Sequence, residues 1–210
     1  DLGFPTARRG NEEWKYTDVG PIVGIPFYYH DAITKGDSRT SDLDLTGLSN
    51  NGWHQLVFVD GVFQANLSSA PTISHGVKVL NLANAIIDSP ELLQGHLGRH
   101  AGYERQAFTA LNTAFLHTGA FVHIPNGIVL EEPIHLLFLT STKRKDPIFH
   151  PRVLVIAGES SKATVIESQV SMSDNRYFSN AVSEVVVGPG GTLDYFRIQQ
   201  HSGQAFQVGT

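Results

Sequence analysis

"VIAGESSKATVIE" (Val155 to Glu167) and "VVVGPGGTLDYFR" (Val185 to Arg197) can be laid one under the other at an offset of 30 residues. Val155 then meets Val185, Gly158 meets Gly188, Ala163 meets Leu193, and Val165-Ile166 meets Tyr195-Phe196. Each copy reads as a strand, a Gly turn and a second strand. An offset near 31 brings "HIPNGIVLEEPIHL" (His123 to Leu136) into rough register, with Gly127 on Gly158. A short strand–turn–strand unit recurring at such a period marks a stacked repeat. The expected fold is therefore mainly β: a β-helix (solenoid) over residues 119–210, preceded by a mixed, partly helical portion over 1–118. Two packed antiparallel sheets would satisfy the same spacing and stay open as an alternative. The closing "AFQVGT" begins another strand without a visible cap, so the chain is expected to end within the domain. Its open strand edges invite self-association.

Working outward, the stretch before Gly119 reads as helical. Ser89-Pro90-Glu91 offers a capping serine followed by a proline at the first helical position. Leu93, Leu97 and Ala101 recur at spacing four, and Phe108, Leu111 and Phe115 continue a compatible face. Gly95, Gly98 and Gly102 interrupt, which predicts two shorter helices within 89–116. Upstream, "GVKVLNL" (Gly76 to Leu82) is a strand. "HQLVFVDGVFQANL" (His54 to Leu67) predicts a hairpin near 55–67, turning at Asp60-Gly61. Residues 26–51 read mostly as loop. In "NEEWKYTDV" (Asn11 to Val19), Asn11 caps and Glu12 and Glu13 occupy the first turn, where the helix dipole favours anions. This predicts a helix near 11–18, stopped by Gly20-Pro21.

Composition excludes several functions. Charged residues are 17 % of the chain and the net charge is −5, which argues against a nucleic-acid binder with a basic face. The "KRK" run at Lys143 to Lys145 reads as a solvated loop. There is no cysteine, so disulfides, thiolate metal sites and iron–sulfur ligation by the chain's own thiolates are excluded. No apolar run is long enough for a membrane span. The chain reads as soluble and intracellular.

The candidate chemistry is sparse. None of the ten histidines pairs as H-x-H or H-x₃-H with a nearby carboxylate. "GAFVHIPNG" (Gly119 to Gly127) matches the front of a cupin motif, but Leu130 and Ile134 stand where its metal-binding His and its Asn belong. A cupin-like metal oxygenase is thus a poor reading. Glu131 and Glu132 are neighbours that point to opposite faces of a strand and would not share a site. "GPGG" (Gly188 to Gly191) lacks the Lys-Ser/Thr of a phosphate loop and reads as a turn. A carbohydrate-active β-helix lyase or hydrolase remains the alternative from another class. No catalytic, cofactor-binding or metal residue is assigned. Trp14 and Tyr16, with Glu12 and Glu13, are read as packing or docking residues, because aromatics beside a capped turn usually pack.

Four stretches, in order, resemble one family. "FPTARRGNEEWKYTDV" (Phe4 to Val19) is similar to the "LPTRR-x-E-x-WKYT" element near the N-terminus of SufD proteins of iron–sulfur cluster assembly. "LVFVDGVF" (Leu56 to Phe63) resembles the hairpin that follows it. "LNTAFLHTGAFVHIPNGIVLEEPIHLLFL" (Leu111 to Leu139) resembles the family's entry into its β-helix, and "ATVIESQVS" (Ala163 to Ser171) a later rung. On these the chain is identified as a member of the SufB/SufD family, matching roughly the N-terminal half of a SufD protein with its first residues missing. The resemblance implies a right-handed parallel β-helix flanked by helical domains. It implies a scaffold rather than an enzyme, which pairs with a SufB-like paralogue through the β-helix and docks a SufC-like ATPase through a C-terminal region outside these residues. Iron acquisition, and an iron–sulfur cluster only in the assembled complex, are implied too, with no cofactor in this chain. Homodimerisation in isolation, no nucleic acid, no membrane, and a cytoplasmic or plastid-stroma location complete the expectation. The absence of cysteine fits SufD better than SufB.

Overall fold

The computed structural model describes residues 2–6, 12–29, 47–48, 52–69, 75–141 and 144–210. Among these, α1 (Gly20–Val23), α2 (Leu82–Asp88), α3 (Pro90–Leu93) and α4 (Ala107–Ala114) are short helices, and 3-10 turns occupy Glu12–Trp14 and Ala65–Leu67. The strands are β1 (Tyr28–Tyr29), β2 (His54–Val59), β3 (Val62–Phe63), β4 (Lys78–Asn81), β5 (Gly119–Ile124) and β6 (Ile134–Thr140). They continue with β7 (Pro147–Phe149), β8 (Arg152–Ala157), β9 (Lys162–Ser171), β10 (Phe178–Val187), β11 (Thr192–Gln200) and β12 (Phe206–Gly209).

Two sheets result. One runs β1-β7-β10-β8-β5-β4, with β12 also on β10; the other runs β11-β9-β6-β2-β3. Most ladders are parallel, but β2 with β3 and β4 with β5 are antiparallel. The expected right-handed parallel β-helix is corrected on this finding: the molecule is a mixed α/β protein whose two sheets each contain parallel and antiparallel pairs. The physical reason is that a sequence offset specifies which residues lie side by side, not how strands are distributed between sheets. Val155 does lie beside Val185, Ala163 beside Leu193 and Val165 beside Tyr195. The other offset is split: Ile134 pairs with Val165 as expected, but His123 pairs with Ile156 and so shifts by two residues. Gly127 therefore does not lie on Gly158.

The main core fills the space between the sheets. Leu56, Phe58, Ile134, Leu136, Ala163 and Val165 project from one, and Val79, Ala120, Val122, Val153 and Val155 from the other. Phe58 stacks on Phe138 with centroids 4.8 Å apart. The alternate residues of β5 and β8, Phe121 and Leu154, face outward and are equally buried, because Leu82, Ala85 and Leu93 of α2 and α3 cover them. Burial on both faces explains why "RVLVIA" and "GAFVHI" show continuous apolarity rather than clean alternation.

Two local expectations differ from the outcome. The helix expected near 11–18 is a three-residue 3-10 turn, Glu12–Trp14, and Asn11 lies outside the described residues. Gly20-Pro21 does not stop a helix but starts α1, with Pro21 in the first turn, where its missing N–H costs nothing. The segment after Ser89 holds α3 and α4 separated by turns through the three glycines.

Candidate functional site

The docking candidates lie beside α4, β10 and β12. Trp14 is half-buried, its ring 5.3 Å from that of Phe108 on α4. With Val19, Ile22, Phe27, Phe178 and Phe206 it forms a cluster that fastens the N-terminal residues to β10 and β12. Tyr16 is 90 % exposed, with Lys15 Nζ 5.3 Å above its ring. Glu12 pairs with Lys15 at 3.6 Å, and Glu13 is exposed. Glu13 and Trp14 also line an open cleft of about 500 Å³ with Phe4, Arg105, Phe108 and Thr210. Of the four, only Trp14 is packed.

Two charged constellations escaped the sequence reading. The first lies on the outer face of the larger sheet. Arg152, which opens β8, and Glu184, on β10, form a fully buried ion pair with Nη2–Oε2 at 2.6 Å. Arg152 also donates to Asn112 Oδ1 at 3.1 Å. Glu184 in turn accepts from the backbone N–H groups of Gly98 (2.9 Å), His100 (2.8 Å) and Ala101 (3.1 Å). Burial pushes the Glu184 carboxyl up, but these amide donors and Arg152 outweigh it and hold the group below the usual carboxylate range. Nearby, Asn112 on α4 donates to Pro151 O and Asn180 O, stitching the helix to two chain segments of the sheet.

The second constellation lies between the sheets, where the filling changes from apolar to polar along the ladders. Glu167 on β9 accepts from Ser183 (3.0 Å), from the Tyr195 hydroxyl, and from Gln169 (2.7 Å), with Arg197 at 3.4 Å. Burial and the adjacent carboxylate raise the Tyr195 hydroxyl far above its ordinary value. Oε2 accepts three of these bonds and Oε1 one, so the group holds strands β9, β10 and β11 together from a buried position. A sequence signal did exist for both: Arg152, Glu167 and Glu184 are charges set inside near-continuous apolar strands.

Two buried histidines give the protein an acid sensitivity. His135 accepts from Gln55 at Nδ1 (3.3 Å), leaving Nε2–H to donate to Ser168 (2.8 Å), so the network fits the neutral ring. His150 lies 5.1 Å from Phe115, nearly parallel to it. Burial lowers each to about 4. Because the folded value lies below the unfolded one, near 6.5, the stabilisation is complete above pH 6.5 and is lost as pH falls toward 4. Urea unfolding should show stability dropping by about 1.4 kcal/mol per pH unit per histidine within that window. A stability flat from pH 7 to pH 5 would count against it.

The remaining motifs are structural. Leu130 packs against the core and Ile134 is buried in it, so the cupin positions are core positions. Glu131 and Glu132 are both exposed ahead of β6. Gly188 to Gly191 make the turn between β10 and β11, with Gly190 at φ +68°. Of "KRK", Lys143 lies outside the described residues, and Arg144 and Lys145 are exposed beside Asp146. No group of three or more His, Cys, Asp or Glu side chains able to hold a metal occurs among the described residues. Among them, too, no helix is long and apolar enough to cross a membrane.

Fold and polar clusters together define a mixed α/β domain whose buried charges join one chain segment to another. Comparison with known proteins gives the family. Residues 1–136 match the SufBD protein N-terminal region, and residues 138–210 match the SufBD core domain of the SUF system for FeS cluster assembly. The chain belongs to the SufB/SufD family of iron–sulfur cluster assembly proteins. It is 29 % identical over 208 residues to an iron–sulfur cluster assembly SufBD family protein of Synechocystis, covering 95 % of this chain and 45 % of the relative. Against the iron–sulfur cluster assembly protein SufD of Escherichia coli it is 25 % identical over 198 residues, 93 % of this chain and 42 % of the relative. SufB of Bacillus subtilis is 22 % identical over 138 residues, 65 % of this chain and 29 % of the relative. The chain spans less than half the length of these relatives.

Proposed function

We propose that this chain serves as a SufD-type scaffold, without catalytic activity of its own, in a complex with a SufB-like paralogue and a SufC-like ATPase. In this reading the complex supports cluster assembly and iron acquisition in the cytoplasm or the plastid stroma, and iron–sulfur clusters are cargo of the assembled complex. The observation that carries the proposal is the order and extent of the family match, with N-terminal region and core domain following one another across almost the whole chain. The buried Glu167 and Glu184 carboxylates, each hydrogen-bonded to several groups of its own chain, support a structural role for the buried charges.

The test is co-expression of the tagged chain with SufB-type and SufC-type proteins from one organism, followed by affinity capture. Recovery of the SufB-type protein, with or without the ATPase, is the expected result. Capture of neither, from a sample that remains folded by circular dichroism, would remove the scaffold reading.

A further inference from the structure

His96 and His100 stand four residues apart in a segment wound into successive tight turns. The His96 and Leu97 N–H groups both donate to Leu93 O, at 3.0 and 2.9 Å, and the Arg99 N–H donates to His96 O at 3.0 Å. This winding brings the two imidazoles to the same side. The rings stack with centroids 5.4 Å apart and an interplanar angle of 23°. His96 Nδ1 and His100 Nε2 are 3.1 Å from one another. His100 is exposed and His96 half-buried, so a small solute can reach both.

That separation matches a bidentate bite. With zinc–nitrogen bonds of about 2.0–2.1 Å, two nitrogens on one ion lie about 2.8–3.4 Å apart between octahedral and tetrahedral angles. In the present pose the two nitrogens face one another in a hydrogen bond, and binding an ion requires the rings to turn both lone pairs toward it. The backbone beneath is held in place: Glu184, anchored by Arg152, grips the amides of Gly98, His100 and Ala101. Holding the ligands before the ion arrives reduces the ordering cost of binding.

We propose that His96 and His100 form a surface chelate for a single late first-row divalent cation, of which Zn²⁺ is the probe of choice. Imidazole nitrogens suit zinc, copper and nickel, whereas magnesium and calcium seek oxygen ligands. With no third protein ligand beside the pair among the described residues, water completes the coordination and the ion exchanges freely. Both rings bind in the neutral form, and the proton now bridging them passes to the far nitrogen of its ring.

Calorimetric titration of the chain with zinc chloride tests this, alongside NMR of the imidazole resonances. One site is expected, with His96 and His100 signals moving together and magnesium chloride giving no response. His96→Ala and His100→Ala should each weaken zinc binding by at least about tenfold, since even outer-shell partners are worth that much. The double variant should be no weaker than either single one, because one remaining imidazole is no chelate. Both substitutions lie outside the apolar core, and circular dichroism verifies that the variants fold. Wild-type affinity in either single variant, a further large loss in the double variant, or zinc shifts confined to other histidines would each overturn the proposal.

Discussion

Replacement of Glu184 by alanine is expected to lower the stability of the protein by about 3–5 kcal/mol, the usual cost of leaving one partner of a buried ion pair alone. The lost carboxylate is the shared acceptor for the Arg152 side chain and for three backbone amides. Its removal leaves a guanidinium with no exposed surface and three N–H groups that must find other acceptors. Each stranded donor adds to the cost. Equilibrium unfolding in urea measures the global effect, and amide hydrogen exchange at Gly98, His100 and Ala101 reports the local one. The double change Arg152→Met with Glu184→Leu should be milder than Glu184→Ala, since no unpaired charge is left buried, but it keeps the cost of the three amides that lose their acceptor. A loss below about 1 kcal/mol in Glu184→Ala, with exchange unaltered, would mean that the pair anchors nothing. Because the carboxyl is held below its ordinary value, its contribution is present at neutral pH and is lost as pH falls through that lowered value.

A second change acts through space rather than charge. Gly119 opens β5 in register with Arg152 of β8, and a methyl group there would sit 1.8 Å from the Arg152 carbonyl oxygen and 2.7 Å from its carbon. The obstacle is backbone, so no side chain can rotate away. Gly119→Ala should cost more than about 3 kcal/mol, beyond the usual range for overpacking. Gly203, with nothing within 4 Å of its added Cβ, is the control, and Gly203→Ala should change stability by less than about 0.5 kcal/mol. Thermal or urea denaturation of the two variants decides the matter: similar midpoints would show that β5 and β8 can separate without penalty. Since the clash moves Arg152, Gly119→Ala and Glu184→Ala should not be additive.

Much of the strand pairing was legible. The offset of 30 named true neighbours in two ladders, because strands and turns of equal length keep their register from one copy to the next. The hairpin at Asp60-Gly61 was legible from turn chemistry, Asp60 and Gly61 both having positive φ. The division into two mixed sheets was not, since β4 joins β5 in antiparallel fashion through residues that carry no local mark of direction. Trp14 was singled out as a residue that packs, but its partner Phe108 lies far along the chain. Arg152 and Glu184 stand out as charges in apolar strands, but their partners were hidden for the same reason: one contact spans 32 residues and another 86, and pattern reading looks only at near neighbours. The His96 and His100 pair was passed over because the spacing rule was tied to an adjacent carboxylate, whereas here the carboxylate holds the backbone instead of an ion.

The pairing of β2 with β6 has a consequence for how the protein is made. His54 lies beside Ile134 and Gln55 beside His135, a separation of 80 residues. At about 5–20 residues per second, the ribosome needs about 4–16 s to deliver the parallel partner of β2. Throughout that interval "HQLVFV", destined for complete burial, has among the described residues the two-residue strand β3 and a bridge from Gln55 to Ser69 to pair with. Short, uncharged, β-prone segments left open in this way are the ones that associate between chains. Yield in cells should therefore depend on how fast the ribosome crosses residues 60–134 and on chaperone supply, even where the finished protein is stable.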